Sequence, residues 1–101
     1  METSIGNFYS KIDECFKCLK KVNHFSESIK RCENIGSNSL NEYISKYKLE
    51  MKKNEFKSQR LFLDLKEEIN GYLNNKKIKL KEEYLLKIKY ILENINNNEN
   101  Y

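Results

Sequence analysis

Ile5, Phe8, Ile12, Cys15, Leu19 and Val22 follow one another at alternating steps of three and four residues. This is the heptad ladder that sets apolar side chains along one seam of an α-helix. A helix with such a seam packs lengthwise against another helix, because its apolar stripe has to leave water somewhere. The ladder goes on as Phe25, Ile29 and Cys32, but two successive steps of three, Leu19 to Val22 to Phe25, shift its phase. A stammer of this kind rotates the apolar face toward a different neighbour, which suits a bundle as well as a two-stranded rope. Thr3, Ser4 and Asn7 are candidate caps for this first helix, expected over residues 4–33.

The stretch Asn34-Ile35-Gly36-Ser37-Asn38 is the strongest break in the chain, since Gly36 tolerates the left-handed conformation that closes a helix. Ser39-Leu40-Asn41-Glu42 follows with the spacing of a capping box and predicts a second helix over residues 39–73. So short a connection makes the first two helices antiparallel neighbours. The second seam reads Leu40, Ile44, Tyr47 and Met51, turns polar at Asn54 and Ser58, and recovers at Leu61 or Phe62, Leu65, Ile69 and Leu73. Polar seam residues weaken packing and commonly set register. A turn or kink is expected at residues 70–75, where Gly71 and three Asn gather, followed by a third helix over residues 76–95 and a frayed tail at 96–101. The alternative is one continuous helix about 87 Å long, which would leave an apolar face bare. The fold class is therefore all-α, an antiparallel helical hairpin extended to a three-helix bundle or a long coiled coil.

With 101 residues and no proline, tryptophan or alanine, the sequence supports one helical domain and no large enclosed cavity. The net charge of +4 is spread without a polybasic arm. Glu2 near the start, with no apolar block of signal or membrane-spanning length behind it, points to a cytoplasmic protein. The odd count of 3 cysteines favours reduced thiols.

Cys15, Cys18, His24 and Cys32 are potential zinc ligands. On an unbroken helix His24 points about 180° away from Cys15, so convergence requires a break that Leu19-Lys20-Lys21-Val22-Asn23 does not supply. Cys15 and Cys32 read instead as small buried hydrophobes and Cys18 as a flanking thiol. Cys15 follows Asp13 and Glu14, which oppose thiolate formation and argue against a redox pair. His24 has no nucleophile and orienting acid matched to it, and Glu67-Glu68 and Glu82-Glu83 splay apart on a helix. No catalytic residue, cofactor or metal is expected.

Lys46, Lys53, Lys57 and Arg60 cluster on one side of the second helix and form a candidate track for a phosphate backbone. Lysine predominates over arginine, and Glu42, Glu50 and Glu55 dilute the segment, as on an ordinary solvated face. Residues 78–95 are strongly amphipathic, yet Glu82, Glu83 and Glu93 interrupt the polar face, which disfavours a membrane surface. The candidate interface residues are Leu61, Phe62, Leu65, Ile69, Ile88, Ile91, Leu92 and Ile95, on faces expected to be partly internal.

Through Arg60-Leu61-Phe62-Leu63-Asp64-Leu65-Lys66-Glu67-Glu68-Ile69, where the overlap lies, the chain from Ser26 to about Leu80 resembles the KxDL family of small coiled-coil proteins, subunits of lysosome-related adaptor assemblies such as BORC. Lys66-Glu67-Glu68-Ile69 stands where that family has Lys-x-Asp-Leu, with conservative departures at both positions after the lysine. The resemblance implies a non-catalytic adaptor subunit and carries no site residues. The expected function is thus a protein–protein interaction module of a helical complex, homo- or hetero-oligomeric. A nucleic-acid accessory protein is the alternative.

Overall fold

The computed structural model describes the backbone of residues 2–99 and the side chains of residues 5–95. It is all-α, with α1 (Glu2–Ile35), a 3-10 turn (Asn38–Leu40), α2 (Asn41–Asn74) and α3 (Glu82–Glu99). Thr3, Ser4 and Asn7 lie within α1 rather than at its cap. At the other end Gly36 takes φ +69°, and its N–H donates to the Cys32 carbonyl at 3.3 Å. That single bond is the αL helix stop that the Gly36 position predicts.

The expected capping box at Ser39 does not form. Residues 38–40 wind into the 3-10 turn, closed by the Leu40 N–H on the Ser37 carbonyl at 3.0 Å. This places Ser39 inside the turn, where its hydroxyl meets that of Ser37 at 2.8 Å, and α2 begins from Leu40 without a side-chain cap. α2 passes unbroken through Asn70 and Gly71 and ends at Asn74. There the Asn75 carboxamide oxygen accepts the Lys77 N–H at 3.0 Å, an Asx turn that diverts the chain.

α3 starts at Glu82, later than the residue 76 that periodicity suggests. The intervening segment does a different job: Leu80 enters the core at 6% exposure, and the Lys81 N–H donates to the Tyr9 hydroxyl at 3.1 Å. At its far end α3 is helical to Glu99, and Asn100 and Tyr101 lie outside the described residues.

α2 runs antiparallel to α1, and α3 returns parallel to it. Tyr9 meets Tyr84, Asp13 meets Lys87, Phe16 meets Tyr90 and Asn23 meets Asn94, so both residue numbers rise together. Phe8, Ile12, Cys15 and Leu19 of α1 bury against Phe62, Leu65 and Ile69 of α2, and against Leu80, Ile88, Ile91 and Ile95. Each large apolar side chain removed from water here stabilises the fold by about 1.5–3 kcal/mol.

The polar stretch of the second seam has a physical resolution. Ser58 is completely buried, its hydroxyl donating to the Glu55 carbonyl at 2.7 Å, and the Asn54 amide donates to the Glu50 carbonyl at 2.8 Å. Both side chains satisfy themselves on their own helix, so neither leaves an orphaned polar group. Cys15 faces Ser58, and its thiol lies 3.6 Å from the Ser58 carbonyl oxygen. Two small residues opposite each other bring the helix backbones close at this level.

α3 is fastened to α1 by an aromatic and ionic flank. Tyr9 and Tyr84 stack with centroids 3.8 Å apart, while Asp13 accepts from the Lys87 ammonium at 2.6 Å and from the Tyr84 hydroxyl at 3.2 Å. Burial, then the Asp13 charge and hydrogen bond, hold the Tyr84 phenol above its ordinary pKa. The Asp13 hydrogen bond raises that of Lys87. Among the described residues the side-chain contacts between α1 and α3 reach as far as Asn23, near the stammer in the α1 ladder. The α1–α2 hairpin continues as an arm in which Ile29 is buried, whereas Phe25, Cys32, Ile44, Tyr47 and Met51 are half-buried.

In urea titrations Leu65→Ala is expected to lower stability by about 2–5 kcal/mol through the cavity it leaves. Ser58→Leu is expected to cost about 1–3 kcal/mol by overpacking the close approach to Cys15. A Ser58→Leu variant as stable as the parent would show that the helices are not closely apposed there.

Candidate interaction surface

The predicted interface residues turn inward. Phe62, Leu65, Ile69, Ile88, Ile91 and Ile95 are buried in the bundle core, and Leu61 and Leu92 are half-buried against it. Their seam is occupied by the chain's own helices, so the anchors proposed from sequence are mostly structural.

Cys15, Cys18, His24 and Cys32 all sit on the uninterrupted α1. Cys15 faces Ser58, His24 is exposed beside Phe25, and no group of three His, Cys, Asp or Glu side chains suited to a metal occurs among the described residues. Two thiols depart from expectation: Cys18 is buried, whereas Cys32 is half-exposed because it lies in the arm beyond α3. Burial, and secondarily the Cys18 charge, push the Cys15 thiol up from 9.0 to about 12. It is a protonated packing group at neutral pH, unlike a thiolate ligand or nucleophile.

Lys46, Lys53, Lys57 and Arg60 are all exposed on α2. Three of them, Lys53, Lys57 and Arg60, line a shallow groove of about 340 Å³ with Phe56, Leu61 and Asp64. Lys46 lies outside this groove, Asp64 sets a carboxylate within it, and Lys53 also reaches Glu50 at 3.6 Å.

The apolar residues beside these cations lie outside the seam that the sequence periodicity predicts for the second helix. Leu49 is 56% exposed, Phe56 64% and Leu63 71%. Successive steps of seven place them within about 40° on the helical wheel, in a line about 21 Å long. Ser58, Leu65 and Ile69 bury on the opposite side. α2 therefore has two apolar faces: a broad one that closes the bundle, and a narrow one turned to solvent. Single exposed apolar residues need no explanation, whereas three in register form a patch suited to another surface. The signal was present as the heptad Leu49, Phe56, Leu63, masked by the stronger seam on the same helix.

No protein-family model, curated protein or solved structure matches this chain. No helix among the described residues is long and apolar enough to cross a membrane.

A disulfide-exchange reagent at pH 8 is expected to label Cys32 readily in the folded chain and Cys15 only on unfolding. The raised Cys15 pKa also has a linkage consequence. Between pH 9 and about 12 the unfolded state releases this proton while the folded state retains it, so stability falls as pH rises through that window. Urea midpoints of the parent and of Cys15→Ala, which should lose that part of the slope, test the sign.

Proposed function

We propose that this chain is a non-catalytic protein–protein interaction module, a subunit or adaptor of a helical complex, that docks through the outward face of α2. The observation that carries the reading is the exposed Leu49, Phe56 and Leu63 stripe, set in heptad register opposite a core already filled from within. A helix whose first apolar face is satisfied and whose second is bare has the form of one component of a larger coiled-coil assembly. The resemblance of residues 60–69 to KxDL adaptor subunits agrees with such a role, although Leu65 and Ile69 of that stretch serve the core.

Nucleic-acid binding by Lys53, Lys57 and Arg60 is the second reading, favoured by their shared groove. It is the weaker one, because backbone contacts would leave the apolar stripe uncovered. A gel-shift titration separates the two, since phosphate binding has to fall steeply with salt.

A photo-crosslinking side chain at position 56, introduced in the native cell, is expected to yield a discrete protein adduct that disappears with Leu49→Asp and Leu63→Asp. The same group at the exposed position 21 on α1 should not yield that adduct. Equal labelling from both positions, or nucleic acid as the product from position 56, would overturn the reading.

A further inference from the structure

The charges around the stripe specify the kind of surface that fits it. Lys46, Lys52, Lys53 and Arg60 are exposed and lie within about 80° of the stripe's centre on the wheel. Glu50 and Glu55, the acids within residues 45–63, sit about 100° or more from that centre and are half-buried. Carboxylates return only at the ends, as Glu42 before Leu49 and as Asp64 and Glu67 after Leu63. The middle of the face is thus a narrow apolar line between cations.

We propose that this face binds an acidic amphipathic helix of a partner protein, with its apolar seam on Leu49, Phe56 and Leu63 and its carboxylates along Lys46, Lys52, Lys53 and Arg60. The proposal rests on the interaction-module reading and adds the partner's chemistry. Charge complementarity selects this occupant. A second copy of the chain laid antiparallel about Phe56 would set Lys53 against Arg60 at the centre of the face, and a parallel copy would set Lys52 against its own counterpart. An anionic membrane matches the charge but not the shape, since helices that lie in the lipid interface bury a broad apolar face rather than a line about 40° wide. A nucleic acid matches the cations but leaves the three apolar side chains in water. A helix satisfies both, because its heptad seam has the same spacing and its flanking positions carry the charges that choose a partner.

Fluorescence anisotropy on the full chain provides the test, using a designed helical peptide of about three heptads with a leucine seam flanked by glutamate. A matched peptide carries glutamine in place of glutamate. The glutamate peptide is expected to bind about tenfold more tightly at low salt, the combined effect of four ordinary exposed charge pairs. High salt should remove most of the difference. Lys52→Glu with Arg60→Glu, at exposed positions where circular dichroism should register no loss of helix, should abolish the preference for glutamate while leaving the glutamine peptide's affinity in place.

Equal or tighter binding of the glutamine peptide would overturn the acidic-partner proposal while leaving the docking face intact. Failure of both peptides to bind, or binding unaffected by Phe56→Asp, would overturn the docking face itself. Tighter binding to phosphatidylserine vesicles or to double-stranded RNA than to the glutamate peptide would also overturn the proposal, in favour of a membrane or a nucleic acid.

Discussion

The close approach of Cys15 to Ser58 is the constraint on which the rest of the arrangement depends. Their 3.6 Å contact brings α1 and α2 together in the middle of the packed region. Larger apolar side chains close the seam on the side toward the α1 N-terminus, with Ile12, Leu65 and Ile69 among the best-buried. Ser58 can occupy an apolar seam because its hydroxyl is spent on the Glu55 carbonyl of its own helix. With α1 and α2 so joined, their shared edge offers Phe16, Tyr9 and Asp13 to α3 on one side. Asp13 anchors that third helix through Lys87 and Tyr84.

Closing the seam from within has a consequence for function. The apolar residues with the strongest periodicity are used in the core, and what remains exposed is the weaker second stripe of α2, the face proposed here for docking. The lysines beside it are neither a buried network nor a polybasic arm, and the proposed acidic partner depends on their position along the stripe. The same helix can hold the bundle together and present a surface, because the wheel separates Ser58 and Leu65 from Phe56 by roughly half a turn.

Much of the architecture was legible in the sequence. The α1 ladder, the Gly36 stop and the recovery of apolar periodicity at Leu65 and Ile69 each follow from local rules that the fold does not override. The failures arise where a competing interaction wins. Ser39 had the spacing of a cap, but the 3-10 turn took its hydroxyl to Ser37. Ile78 and Leu80 fit a helical repeat, but the Asx turn at Asn75 sends them through an irregular crossing that still buries Leu80. The interface residues were chosen for strong apolar periodicity, the property that draws them into the core. The line Leu49, Phe56 and Leu63 is hard to read from sequence, because three residues carry little weight beside a full seam. Periodicity alone does not say which of two faces the chain itself will cover.

Native-state hydrogen exchange, resolved by residue and repeated over a wide range of protein concentration, tests most directly whether the chain closes its own core. The slowest amides are expected around residues 8–19 and 58–69, with faster exchange in the α1–α2 arm and rates independent of concentration. Protection that rises throughout the chain with concentration would contradict it, because the apolar seam would then be completed by another molecule rather than by α3.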